Sequence, residues 1–133
     1  MKIIILGAGQ VGASVAENLV SEANDITLVD TSAEHLAMLR DRLEVRTVCG
    51  NAASPKVLRE AGAEDADLLI AVTQSDQTNL CACRIAKVLF NLPTRIASLR
   101  STDYVDYPEL LDDTNFAVDF SICPEQVVTD YIK

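Results

Sequence analysis

Residues 7–12 read Gly7-Ala8-Gly9-Gln10-Val11-Gly12, and Asp30 stands 18 residues past the last of these glycines. Residue types at this spacing suit the capture of a dinucleotide. Gly7 permits a tight turn out of a strand, Gly9 lets a pyrophosphate approach the backbone, and Gly12 lets a helix pack closely on that strand. The amide groups around residues 9–12 would point at the ligand, and the helix dipole adds about half a positive charge there. Asp30 is placed to accept hydrogen bonds from the adenosine ribose. With no arginine at 31 or 32, a 2′-phosphate would meet that carboxylate alone, which favours NAD(H) over NADP(H).

The motif works only between a strand and a helix, and the flanking sequence supplies both. Residues 2–6 form a β-branched apolar run that reads as a strand buried on both faces. Val11, Val15, Leu19 and Val20 then recur at helical spacing to about residue 21. Further strands are expected at 26–30, 45–49, 68–72, 95–99 and 116–120. Thr31 or Ser32 is expected to cap a helix carrying Leu36, Leu39 and Leu43, and Ser54-Pro55 to open a short helix ending at Gly62. Helices are also expected at 75–90, near 106–112 and over 124–133. Buried strands alternating with helices give an α/β fold: a Rossmann-type, doubly wound, six-stranded parallel sheet in the order 3-2-1-4-5-6, with helices on both faces.

Ligands of such sheets lie beyond the strand carboxyl ends. That nominates Asn51 and Ala52 after the third strand, and Thr73 and Gln74 after the fourth. Thr73 and Asp76 also have the spacing of a capping box. The single histidine, His35, reads as a solvated residue on the polar side of its helix, and no nucleophile–base or metal-ligand set is evident. Cys81 and Cys83 lie two apart on a helix and point in different directions. Cys49 and Cys123 complete a set with no disulfide-framework spacing, as expected of free thiols in a reducing cytosol.

Apolar residues are 49% of the 133, enough for one packed domain. The balance of 11 basic against 20 acidic side chains gives a net charge of −9, which argues against nucleic acid and anionic membrane surfaces as partners. No apolar run approaches the ~20 residues that a spanning helix needs, so no direct membrane insertion is expected. Val127, Val128, Tyr131 and Ile132 form an apolar stripe on the last expected helix, which has no C-cap glycine. Residues 1–133 are accordingly expected to be a single domain from the N-terminal part of a longer chain.

MKIIILGAGQVGASVAENLV, ITLVDTS, SPKVLREAGAEDADLLIAVTQSDQTNL, RIASLRSTDY and SICPEQVV together resemble the RCK N-terminal (KTN) domains of the NAD(H)-binding regulatory subunits of Trk-type potassium-uptake systems. The AGAEDADLLIAVTxSDxTN stretch carries the resemblance more specifically than the glycine motif does. It implies a nucleotide-sensing regulator rather than an enzyme, a homo-oligomer (dimer or tetrameric ring), and a cytoplasmic location. It also implies peripheral attachment at the inner face of the membrane through an ion-translocating partner subunit. Family nucleotide contacts carry over onto Gly7 through Val11, Asp30, Asn51, Ala52, Thr73 and Gln74. On the fifth strand the family's Ile-Ala-Arg pattern reads Ile96-Ala97-Ser98 here, so Ser98 replaces a cation that faces the nucleotide, and Arg100, on the same strand face, is the substitute. Asp76 near the site would let it feel the one-charge difference between reduced and oxidised nicotinamide. Two alternatives share the motif: the coenzyme domain of an NAD-dependent dehydrogenase, and a regulator that prefers ATP or ADP at the same site.

Overall fold

The computed structural model describes residues 1–123. β1 (Lys2–Leu6) carries Ile3, Ile4, Ile5 and Leu6, each at most 1% exposed. A strand apolar on both faces belongs at the middle of a sheet covered on two sides. It pairs in parallel with β2 (Asp25–Asp30) on one side and with a strand at Leu68–Ala71 on the other. With β3 (Arg46–Cys49) beyond β2, that strand is β4, and β5 (Thr94–Ser98) and β6 (Phe120–Ile122) follow outside it. The order is 3-2-1-4-5-6 with every pairing parallel, as the sequence pattern predicts.

The sheet divides the core in two. On one face Ile3, Ile5, Leu28 and Ile70 pack with Ala16 of α1 (Gln10–Leu19) and with Leu36 and Leu39 of α2 (Ala33–Arg42). On the other, Ile4, Leu6 and Leu69 pack with Leu58 of α3 (Pro55–Glu60) and with Leu80, Cys83 and Ala86 of α4 (Asp76–Phe90). Each leucine buried in this way contributes about 1.5–3 kcal/mol. Serines start four of the helices. Ser32, Ser54 and Ser75 accept the N–H groups of His35, Val57 and Thr78, and Ser101 accepts that of Asp103 to open α5 (Thr102–Val105). Pro55 follows Ser54 in the first turn of α3, where its missing N–H is no loss.

Three local expectations need correction. The helix expected near 106–112 is two pieces, α5 and a 3₁₀ turn at Pro108–Leu111, because Pro108 cannot continue an α-helix. The sixth strand forms at Phe120–Ile122 rather than 116–120, because Ala117 takes a left-handed conformation (φ 60°). Arg95, 2% exposed, holds that turn. Its Nε donates to the Ala117 carbonyl at 2.6 Å, its guanidinium donates to the Leu92 carbonyl, and it pairs with Asp113 and Asp119 at 3.3 Å. The capping box expected of Thr73 and Asp76 does not form, because Ser75 caps α4 and leaves both side chains to other partners. The helix expected over 124–133, with its apolar stripe, lies outside the described residues.

Burial of Cys83 pushes its thiol from 9.0 up to about 12, while Cys49 and Cys81 are exposed. In the folded chain at pH 8, iodoacetamide is therefore expected to label Cys49 and Cys81 and to spare Cys83, as peptide mass spectrometry would read. Labelling of Cys83 as fast as Cys81 would contradict this packing. The sign for stability follows from the same shift. The unfolded thiol ionises from about pH 9 and the folded one only near 12, so this contribution is present at neutral pH and is lost as pH rises through that window.

Candidate functional site

Strand order reverses between β1 and β4, and the segments leaving the strand carboxyl ends surround a cleft of about 760 Å³ there. The β1–α1 turn forms one wall. Gly7 has φ 109°, donates its N–H to the Val29 carbonyl at 2.7 Å, and would place a Cβ 2.9 Å from the Val72 carbonyl oxygen. Such a conformation and such crowding leave room only for glycine. Gly12 meets the same turn from inside α1, and a Cβ there would overlap the Gly7 carbonyl. Gly9 is exposed, with nothing within 4 Å of where its Cβ would stand. It is the N-cap of α1 and gives no side-chain cap, whereas α2 to α5 each have a serine. Among the described residues, α1 alone thus opens with its first-turn amides unanswered by a side-chain cap. Those amides lie where Gly9, Gln10 and Val11 line the cleft, the arrangement suited to an anion.

Asp30 ends β2 on the adjoining wall. Its Oδ2 accepts the Ser32 N–H at 3.2 Å and lies 3.7 Å from His35 Nδ1. His35 is exposed, as its place on the polar side of α2 predicts, and it also stands in the first turn of α2 and lines the cleft beside Asp30. Asn51 and Ala52 follow β3 and line the same side, with Asn51 Oδ1 turned back to accept the Ala53 N–H at 2.8 Å. Thr73 and Gln74, after β4, line the far wall. Asn79, fully buried at the base of α4, holds that wall together. Its Oδ1 accepts both the N–H and the hydroxyl of Thr73, and its Nδ2 donates to the carbonyls of Thr73 and Ser98.

Ala8, Gly12 and Ser98 do not line the cleft. Ala8 and Gly12 are buried beneath the turn and shape it from below. Ser98, 2% exposed, closes β5 with its carbonyl on Asn79. Arg100, two residues further on and past the end of the strand, does line the cleft, and it is the one arginine or lysine among the described lining residues. Asp76 is absent from the lining as well, so the nearby acid expected to sense nicotinamide charge faces elsewhere. Thr31, Ser32, Ser75 and Thr78 also line it. The first three sit within four residues of a strand's carboxyl end, which is a positional signal in the sequence, whereas Thr78 lies in the first turn of α4. Among the described residues there is no cluster of metal-binding side chains, and no helix is long and apolar enough to cross a membrane.

Comparison with known proteins bears on the fold and the family. The chain is 54% identical over 134 residues to the Trk system potassium uptake protein TrkA of Vibrio alginolyticus and 54% identical over 133 residues to that of Halomonas elongata. All of this chain aligns in both cases, and it spans 29% of the length of each relative. The fold matches the TrkA-N domain of the inner membrane protein ybaL from Escherichia coli with a TM-score of 0.83 at 24% identity, covering 98% of this chain and 93% of that one. It also matches the GsuK channel bound to NAD (TM-score 0.74, 18% identity, 91% and 21% covered) and GsuK bound to ADP (0.79, 18%, 98% and 33%). The TrkA-N domain pattern matches residues 3–116; spanning most of the chain, from β1 to the turn before β6, that match establishes that the chain belongs to the TrkA-N domain family.

Proposed function

We propose that this chain is the nucleotide-sensing domain of a potassium-uptake regulator, that it binds NAD(H) in the cleft, and that the bound nucleotide gates a membrane-embedded translocating partner. The observation that carries the reading is α1 opening without a side-chain cap, one strand over from the Asp30 carboxylate. Amide donors meet the diphosphate while Asp30 accepts from the ribose. In this reading Gly7, Gly9, Gln10, Val11, Asp30, Asn51, Ala52, Thr73 and Gln74 touch the ligand, with Ala8 shaping the turn from beneath. The names of the relatives, Trk system potassium uptake proteins, supply the transport context. The domain works as a homo-oligomer at the cytoplasmic face of the membrane and performs no catalysis. A nucleotide shifts the assembly only as far as it binds one arrangement better than another, and typical couplings are about 1–3 kcal/mol per site.

A second reading, a site for ADP or ATP, draws support from the ADP-bound neighbour and from donors that read any diphosphate. Isothermal calorimetry with NADH, NAD, ATP and ADP in parallel separates the two. The expected result is saturable binding of NADH, and folded protein that takes up none of the four at millimolar concentration would end the nucleotide reading.

A further inference from the structure

Asp76 opens α4 yet does none of the usual work of an acid at that place. It does not cap its own helix, which Ser75 does, and it does not line the cleft. It is 8% exposed, and its two oxygens are spent on a different segment: Oδ1 accepts the Arg100 N–H at 2.9 Å and Oδ2 the Ser101 N–H at 2.8 Å. These are charge-assisted bonds in a partly dehydrated place, the stronger kind. They fix the chain just after β5, where Arg100 lines the cleft and Ser101 caps α5. The next residue adds a strut, with Gln77 Nε2 donating to Tyr104 Oη at 2.9 Å. Asn79, one turn further along, anchors the Ser98 carbonyl at 2.8 Å. Three residues of one helical turn therefore hold residues 98–104 against the wall that Thr73 and Gln74 form.

We propose that Asp76 is a positioning residue for nucleotide recognition, acting through Arg100: its carboxylate holds the backbone from which the Arg100 guanidinium meets the anionic part of the ligand. The inference rests on the nucleotide reading of the cleft and adds to it the means by which its cation is placed. In a chain of net charge −9, the one arginine among the described residues that line the cleft counts for more than it would in a basic protein, and a swing of a few ångströms removes it. Asp76→Asn keeps the shape but presents an amide N–H₂ to one backbone N–H, losing at least one of the two bonds.

The test is a double-mutant cycle on the whole chain with NADH and ADP as probes, read by calorimetry, with thermal melts to show folding. Asp76→Asn and Arg100→Gln are each expected to weaken NADH about 5-fold or more, and the double variant to bind no worse than the weaker single, because both changes remove one contact. A general loosening of the fold would instead multiply. If Asp76→Asn weakens NADH by the same factor with and without Arg100, or leaves affinity unchanged, the proposal is overturned. A second measurement needs no variant: hydrogen exchange at the Arg100 and Ser101 amides of the parent chain is expected to slow on adding NADH. NADH uptake by calorimetry with no change at those two amides also overturns it. A parent chain that binds none of the nucleotides fails the reading of the cleft itself and is distinguishable from both outcomes.

Discussion

Gly12→Ala is expected to abolish the stable native domain, seen as a chemical-denaturation midpoint shifted far below the parent's or as loss of the cooperative transition. The added methyl would lie 2.8 Å from the Gly7 carbonyl carbon and closer still to its oxygen. Neither partner has a side-chain rotamer to yield. Gly7 is itself fixed by φ 109°, by its bond to Val29, and by the Val72 carbonyl on its other side. Relief has to come from lifting α1 off the sheet, which pulls Ala16, fully buried, out of the core. Overpacking of flexible cores costs about 1–3 kcal/mol, and backbone against backbone belongs at or above the top of that range. Domains of this size have only about 5–15 kcal/mol in total. A variant with the parent's midpoint would show that α1 does not sit this close to β1.

Gly9→Ala is expected to do the reverse: to leave stability within about 0.5 kcal/mol, as for most exposed substitutions, and to weaken nucleotide binding at least tenfold, about 1.4 kcal/mol. No described residue lies within 4 Å of the new methyl, and the backbone at Gly9 (φ −76°, ψ −160°) suits alanine. What the methyl obstructs is then a ligand approaching the α1 amides. Parallel denaturation and NADH titration make the contrast with Gly12→Ala direct. Parent-like NADH affinity in a folded Gly9→Ala chain would mean that the diphosphate sits elsewhere.

What could be read from the residue pattern and what could not divides along the range of the forces involved. The central strands, the serine caps at 32 and 54 and the glycine turn are legible because each depends on neighbours within a few positions: an apolar run, a hydroxyl three residues from an amide, a missing Cβ. The region after β5 is not, because it is shaped by partners far away in the chain. Arg95 folds the 113–119 turn toward itself and so moves the last strand toward Phe120. Asp76 reaches across 24 positions to Arg100, which no helical periodicity reveals. At the site the same division holds. Asp30 and the glycines announce themselves, whereas His35 comes into play only when α2 turns its first turn toward Asp30. Ser98 shows the limit of alignment by strand position, since the residue that borders the opening is the one two places on.

The division of the apolar interior by the sheet has one more consequence. Val11 and Val72 belong to one compartment, and Val29 and Ala52 to the other, yet all four border the same opening. A small molecule seated there acts as a rivet through both layers. The stability it adds to the folded chain, about 2.7 kcal/mol at a hundredfold excess over its dissociation constant, is then shared by the two halves, and neither can come apart without releasing it.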